Sequence, residues 1–396
     1  MTSTGVSTPP TASVTRAELL RRASALLPVL EERAPKAEER RQIPPETIQD
    51  LVSAGLIRVA NPDRFGGYGF DVDLSFDLAM ELGRACGSTA WCFSIWASHN
   101  WMIGQWPLEA QEEYFEGGPD TLSSTSFRPI ETKVEPVDGG YRLSGHWDLS
   151  SGCDAATWAI LGAAVPAGRA HMLVPRSDYT IVDTWFASGL RGTGSNDIVI
   201  EDAFVLAHRV LEVVPPGNEE ASNGWRIHRR ASYRAPRLPL FGHILAAPVI
   251  GIAQGAVEEF TSRLQGTSGP GRTADSTAAH LRLAEASAEA DAAQLLLRHN
   301  TREIIERAAR GEAFTEIERA RYRRDCSFAT RLAIQAVNRI FEGSGGHAVF
   351  DSQPMQRFFR DAHVASHQGA LLWDISGEGY GRAALGLPPL PAPLFI

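Results

Sequence analysis

Three short regions concentrate residues that could do chemistry. "SHNW" (98–101) sets His99 beside Trp96 and Trp101 on a very apolar stretch. An imidazole there can sit in the core on one hydrogen bond, or take a proton from a substrate hydroxyl. "SSTSFRP" (123–129) and "DLSSG" (148–152) cluster hydroxyls at the ends of strand-like runs, among them Thr125, Ser126, Ser150 and Ser151. Such hydroxyls donate to a ligand or close a turn. "RDAHVASHQG" (360–369) carries His363 and His367 four apart, the spacing at which one helix face offers two imidazoles to a metal, with Asp361 or Asp374 as a third ligand. The carboxylate pattern of zincins is missing and no cysteine is near, so helix-surface or pocket histidines are the preferred reading and no metal is expected.

Two glycine clusters invite a nucleotide reading. "RGTGSND" (191–197) has G-x-G without a third glycine, and a strand-like "DIVIED" follows where a dinucleotide fold needs a helix. "EGSGGHAV" (342–349) follows a helix, not a strand. Neither is a Rossmann fingerprint or a P-loop, so no nicotinamide site is expected; a turn or helix cap explains each alone.

The elements that must position these groups fall into three zones. Residues 16–118 have helical texture: apolar residues recur at helical spacing over 16–40, and "IPPETIQDLVSAGL" starts a helix at Pro-Glu and ends it at Gly55. Two apolar helices follow "FGGYGF", broken around Gly87-Ser88. Residues 119–214 turn to short alternating runs, with a hairpin signal at Asp138-Gly139-Gly140, and form a central β-domain. Residues 215–396 return to helices, with long stretches at about 276–310, 314–341 and 353–382 and a Pro-rich tail. The fold class is α+β, with helices, strands and helices around one core.

Composition narrows the rest. The chain has 396 residues, 43% hydrophobic, with net charge −9 and dispersed basic residues, which argues against nucleic acid or a polybasic membrane contact. The apolar run around Ile244–Ile252 is short and interrupted for a bilayer span. Residues 1–15, rich in Ser, Thr and Pro, read as a disordered leader without signal-peptide regions. Four widely spaced cysteines fit no disulfide or zinc pattern, which points to a reduced cytoplasmic setting.

Taken together and in order, "WCFSIWASHNW", "LSSTSFRP", "PVDGGYRLSGHWDLSSGCDAATWAILGA", "VDTWFASGLRGTGSNDIVIEDAFV" and "RDAHVASH" resemble the oxygenase components of two-component flavin monooxygenases on the acyl-CoA dehydrogenase fold, such as the p-hydroxyphenylacetate and secosteroid hydroxylases. Residues 134–200 carry the most specific part. The resemblance implies an N-terminal helical domain, a central β-domain and a C-terminal four-helix bundle that forms a homotetramer. Reduced FMN or FAD, supplied as a diffusible flavin, would sit between β-domain and bundle. Trp147, Ser150, Ser151 and Gly152 would run beside its ring, with Ser150 or Ser151 at N5. Arg191, Gly192 and Thr193 would join the cofactor site. Ser344, Gly345 and Gly346 would approach the ribityl-phosphate part, from the same or a neighbouring subunit. His99, with Thr125 or Ser126, matches positions that meet a substrate phenol, Trp96 would help to shape that pocket, and His367 matches a histidine at the flavin's reactive edge. Arg234 or Arg237 of "YRAPR" could meet a substrate carboxylate.

A dehydrogenase on this fold needs a carboxylate to take a weakly acidic C–H proton, and its glutamate position falls on Gly369. Glycine is no base, although a glutamate from another helix could substitute. Oxygenation asks instead for a hydroxyl steadying N5, a dry site around the flavin's C4a adduct with O2, and a histidine that makes a phenol more nucleophilic. The expected activity is therefore hydroxylation of a phenolic or polycyclic aromatic molecule, in natural-product biosynthesis, with a separate NAD(P)H:flavin reductase as partner. Oxidation at nitrogen, a dehydrogenase-like reaction and a non-catalytic flavin- or aromatic-binding homologue remain as alternatives.

Overall fold

A computed structural model describes residues 14–213, 217–266 and 273–389. All but the last two residues of the expected leader, and the end of the Pro-rich tail, lie outside them. Five helices come first: α1 (Arg16–Arg40), α2 (Pro45–Ser53), α3 (Asp73–Gly83), α4 (Gly87–Ile103) and α5 (Leu108–Tyr114). In α1, Thr15 caps the start by accepting the Glu18 N–H, and Leu19, Ala23, Leu30, Ala34 and Ala37 form the buried stripe. Helix α4 has no polar face, because every residue from Gly87 to Ile103 is buried. It is the central strut of the fold, able to present side chains in several directions at once.

Eight strands follow: β1 (Ser123–Ser126), β2 (Pro129–Val137), β3 (Gly140–Ser150), β4 (Trp158–Val165), β5 (Gly168–Pro175), β6 (Thr180–Val182), β7 (Asn196–Leu206) and β8 (Val210–Glu212). They build two four-stranded sheets, β1-β4-β5-β8 and β2-β3-β7-β6, around a core that includes Leu143, Trp147, Leu161, Met172 and Ile198. The Asp138-Gly139 turn joins β2 to β3, with Val137 opposite Gly140. Near its end β3 bulges between Trp147 and Ser150 against β7. Leu149 takes the left-handed conformation there (φ 58°) and points its side chain outward, while Ser150 on its other side is fully buried.

The remaining helices are α6 (Asn223–His228), α7 (Arg237–Gly266), α8 (Thr277–Arg310), α9 (Glu316–Gly343), α10 (Pro354–Ala365) and α11 (Trp373–Ala384). The apolar α7 is long enough to cross a membrane by length and composition, but 83% of its apolar window is buried inside the protein, as in a core helix. It crosses α3 through two glycines: a Cβ on Gly83 would lie 3.0 Å from Gly251 Cα and 2.8 Å from the Pro248 carbonyl. A reciprocal capping box at Thr315 and Glu318 starts α9.

The expected continuous helix over 353–382 is two helices. α10 stops at Ala365, and a short 3-10 turn at Gly369–Leu371 precedes α11. Gln368 explains part of the break, since its side-chain oxygen accepts the Ala370 N–H and competes with helical bonding. His367 therefore lies past the helix end and does not share an α-helical face with His363.

Candidate active site

Strand β3 ends in two adjacent serines with opposite situations. Ser151 belongs to a directed chain: Trp91 Nε1 donates to Ser151 Oγ (3.1 Å), which meets Ser195 Oγ (2.8 Å), then Thr193 Oγ1 (2.7 Å), which donates to the Leu190 carbonyl (2.8 Å). A hydroxyl has one proton, so the fixed ends orient the whole chain: Thr193 gives its proton to Leu190, Ser195 to Thr193, and Ser151 to Ser195. Ser151 has no proton left for a ligand. Ser150 Oγ is buried and without a partner among the described residues.

Three more orphaned polar atoms lie on the elements beside it. Ser124 Oγ on β1, and Trp96 Nε1 and His99 Nε2 on α4, are all buried and unpaired among the described residues. The Trp96 indole rests on Gly152, where a Cβ would come within 2.6 Å of Nε1. His99 Nδ1 lies 2.7 Å from the Ser123 carbonyl, so this nitrogen carries the proton and Nε2 keeps a bare lone pair. Burial holds His99 down to about 4, the Ser123 bond acting in the other direction, and the ring is neutral at physiological pH. Each buried unpaired group costs on the order of 1–3 kcal/mol.

A separate cavity of about 940 Å³ opens beyond the end of α4, bounded by β5, β8, α9, α11 and the first turns of α7. Trp101, Phe127, Phe241 and Ile244 give it an apolar, ring-rich wall. His171 of β5 projects into this wall between Phe127 (ring centroids 4.4 Å) and Trp106 (6.4 Å). Its Nδ1 is buried and unpaired among the described residues, and burial, followed by the Arg237 charge, holds it down to about 3. Arg237 lines the same cavity, reaches Gln105 Oε1 at 3.4 Å, and is itself held below its ordinary range by burial. Glu219 is on the cavity wall too, gripped by Arg319 at 2.5 and 3.3 Å. Burial opposes its charge, but those hydrogen bonds outweigh burial and keep the carboxyl below its usual range.

The other expected site residues are distributed more widely. Thr125 Oγ1 donates to the Ile160 carbonyl of the next strand (2.7 Å) and Ser126 Oγ to the Arg128 carbonyl (3.3 Å), so both protons are used locally. Trp147 is in the β-domain core, its Nε1 donating to Gly162 O (2.8 Å). Gly192 is wedged against Ala37 and Ser88, and Arg191 beside it is exposed. Arg234 pairs with Glu220 and lies over Trp225, away from the cavity wall that Arg237 occupies. Ser344 Oγ donates to Ile340 O (2.7 Å), and nothing among the described residues lies within 4 Å of a Cβ built on Gly345 or Gly346. His363 Nε2 meets Asn338 Oδ1 (2.8 Å), whereas His367 is exposed and bonds the His363 carbonyl (2.8 Å). No group of three His, Cys, Asp or Glu able to hold a metal occurs among the described residues.

Asp361 has a role that spacing could not show. It is buried, and its Oδ1 accepts the Leu190 N–H at 2.6 Å, holding a second left-handed leucine (φ 47°) at the head of the hydroxyl chain. Burial raises its carboxyl to about 7, with the Leu190 bond opposing.

The chain matches the family models of the acyl-CoA dehydrogenase N-terminal domain over residues 22–115 and C-terminal domain over 243–371. It is 37% identical over 378 residues to the flavin-dependent monooxygenase oxygenase subunit HsaA of Rhodococcus jostii, which spans 93% of this chain and 98% of that protein. The chain belongs to the oxygenase components of flavin-dependent monooxygenases. An FADH2-dependent resorcinol hydroxylase oxygenase component from Rhizobium sp. is 34% identical to this oxygenase over 389 residues, covering 94% and 95% of the two chains. The crystal structure of 3-HSA hydroxylase from Rhodococcus sp. RHA1 superposes with a TM-score of 0.90 at 35% identity, covering 96% and 99%. The resemblance carried by residues 134–200 thus agrees with the family to which the whole oxygenase belongs.

The residues present fit a flavin. The oxygenase buries an unsatisfied hydroxyl at Ser150 behind the Leu149 bulge, and sets a donor (Trp96 Nε1), an acceptor (His99 Nε2) and a second hydroxyl (Ser124) on the adjoining β1 and α4. A polar heterocycle with donors and acceptors along its edge is the kind of group that answers such a set.

Proposed function

We propose that this oxygenase hydroxylates a phenolic or polycyclic aromatic small molecule held in the 940 Å³ cavity, using reduced FMN or FAD delivered by a separate NAD(P)H:flavin reductase. The observation that carries this reading is the cavity wall itself: aromatic rings, a neutral imidazole at His171 and the Arg237 guanidinium, with the Glu219 carboxylate locked onto Arg319. A carboxylate held below its usual range is a poor base for a C–H proton, which, with Gly369 where a dehydrogenase carries glutamate, speaks against dehydrogenation.

Reduced flavin, when bound, supplies the electrons that split O2, one atom going to the substrate and the other to water. The chain's own residues do the rest. Ser150, with its proton free, would donate to the N5 side of a bound flavin, while Ser151 holds the strand end in place. Trp101, Phe127 and Phe241 pack the substrate ring and keep water out. His171 accepts a hydrogen bond from the substrate hydroxyl, and Arg237 favours the anionic oxygen, so electron density on the ring rises. His99 and Trp96 would orient polar edges from α4, whereas His367 is exposed past the end of α10 and lies outside this set. Exposed Leu281 and Leu295 on α8 support self-association as a homotetramer, and the four buried free thiols support a cytoplasmic setting.

The test is a single turnover. Protein mixed with anaerobically reduced FMN or FAD is exposed to 18O2 with 4-ethylphenol or 2-naphthol, and products are weighed by mass spectrometry. A product that gains one labelled oxygen on carbon supports the proposal. A product lacking two hydrogens, a product oxygenated on nitrogen from an amine probe only, or stoichiometric hydrogen peroxide without product overturns it.

A further inference from the structure

The glycine-rich loop between α2 and α3, "FGGYGFD" (65–71), ends on a carboxylate that reaches the cavity wall through one intermediary. Gly66 and Gly69 take left-handed backbone there (φ 82° and 80°), which glycine adopts at little cost. Trp101 Nε1 donates to Ser232 Oγ (2.9 Å), and Ser232 Oγ donates to Asp71 Oδ1 (2.7 Å), which also accepts the Ser232 N–H (3.3 Å). An indole N–H only donates and a carboxylate only accepts, so the single Ser232 proton has one direction to run. Trp101 and Ser232 are buried and Asp71 is half-buried. Trp101 lines the 940 Å³ cavity, whereas Ser232 and Asp71 stand off its wall.

The residue after Ser232 holds the same tryptophan twice more. Tyr233 stacks on one face of the indole (centroids 5.6 Å apart, planes at 11°), and its hydroxyl donates to the Trp101 carbonyl (2.8 Å). Arg230 fastens this segment to the glycine-rich loop, donating to the Phe70 carbonyl (2.7 Å) and pairing with Asp63. Stacking fixes how far the indole lies from Tyr233, but by itself it lets the ring pivot within its own plane. The Nε1 bond removes that freedom, provided that the Ser232 lone pair stays aimed at the indole. Asp71 supplies that aim: a hydroxyl bonded to a carboxylate is held more firmly than one bonded to a neutral acceptor. Without the carboxylate, the Ser232 hydroxyl rotates and the ring is released.

We propose that Asp71 is a positioning residue for the substrate site: through Ser232 it fixes the Trp101 ring, and with it a preference for flat fused-ring substrates over puckered ones of equal size. The proposal rests on the reading of this cavity as the substrate site. A fixed aromatic wall meets a flat ring over its whole area, and a pivoting wall forfeits part of that contact. A puckered ring touches few atoms of the wall in either case.

The experiment is calorimetric titration of the full chain, without flavin, with 2-naphthol and 5,6,7,8-tetrahydro-2-naphthol, which share a phenol and differ in whether the second ring is flat. The expected result is a preference for 2-naphthol of about fivefold or more. Asp71→Ala brings that preference to within about twofold and leaves the tetrahydro compound bound as before, while Asp71→Asn, which keeps an oxygen for Ser232, retains most of it. Trp101→Phe, with no indole N–H, also lowers the preference, and adding Asp71→Ala to it has little further effect. An aspartate that only stabilised the fold would give losses that add. Should Asp71→Ala fail to fold, Ser232→Ala completes the same cycle. Additive losses, equal weakening of both phenols, or an Asp71→Ala variant with the full preference overturns the positioning role and leaves the cavity reading standing. No preference in the wild type, or a Trp101→Phe variant that binds both phenols as the wild type does, overturns the two together.

Discussion

His99 gives its Nδ1 proton to the Ser123 carbonyl across 2.7 Å, which fixes one tautomer and turns a bare Nε2 into the interior between α4 and β1. The ring is held to about 4, so the folded protein releases a proton that the unfolded chain still binds between pH 6.5 and 4. Stability from this group is complete above pH 6.5 and falls as pH drops through that window, by about 3 kcal/mol in all. His99→Gln removes the titration. Melting temperatures at pH 7, 6 and 5 are expected to fall less steeply in the variant than in the wild type. Equal slopes would dismiss the buried neutral imidazole.

The two serines separate by what they hold. Ser151→Ala breaks the chain from Trp91 to Leu190 and is expected to destabilise the protein by about 1–2 kcal/mol in urea unfolding. Ser150→Ala removes a buried hydroxyl without a partner and leaves stability equal or slightly higher. Its effect appears in turnover, where the ratio of hydrogen peroxide to hydroxylated product rises severalfold. If Ser151→Ala alone uncouples turnover, the assignment between the serines is reversed.

His171 is wedged between aromatic rings, so His171→Phe preserves the packing and removes only the nitrogens. Its melting temperature should stay within a few degrees of wild type. Steady-state kcat/KM for a phenolic substrate is expected to fall about 100-fold, the range typical of one proton-handling group. Unchanged kinetics would leave His171 as wall and nothing more.

Asp361 titrates in the opposite sense to His99. Its carboxyl is raised from 3.8 to about 7, so the folded protein keeps a proton that the unfolded chain loses, and stability falls as pH rises through that interval. Asp361→Asn keeps an oxygen for the Leu190 N–H and has no charge to bury. The variant should match wild type in thermal melts at pH 4 and exceed it at pH 8. Asp361→Ala loses the hydrogen bond and melts lower at both.

Local signals were sufficient wherever neighbours in sequence decide the outcome. The Asp138-Gly139 turn and the Pro-Glu start of α2 are written in adjacent residues, and the three textures marked where helices give way to strands and return. The site was less legible because its parts converge from distant elements. Arg234 and Arg237 are three residues apart, yet one turns toward Glu220 and the other into the cavity, and only tertiary packing decides between them. His171 stood in "RAHMLVPR" as one polar residue in an apolar strand, and nothing local announced that Trp106 and Phe127 would enclose it. The i, i+4 spacing of His363 and His367 suggested one shared helix face, but α10 stops at Ala365, before His367.

The bond between Leu190 and Asp361 joins residues 171 positions apart. During synthesis at roughly 5–20 residues per second, the β-domain emerges about ten seconds or more before the helix that fastens its 190–195 loop. Over that interval the loop carries a left-handed leucine with nothing to hold it, and the hydroxyl chain ending at Ser151 has no fixed terminus. A nascent or C-terminally shortened chain can therefore own a nearly complete β-domain and still lack the geometry around Ser150, which makes competence for flavin one of the last properties the growing polypeptide acquires.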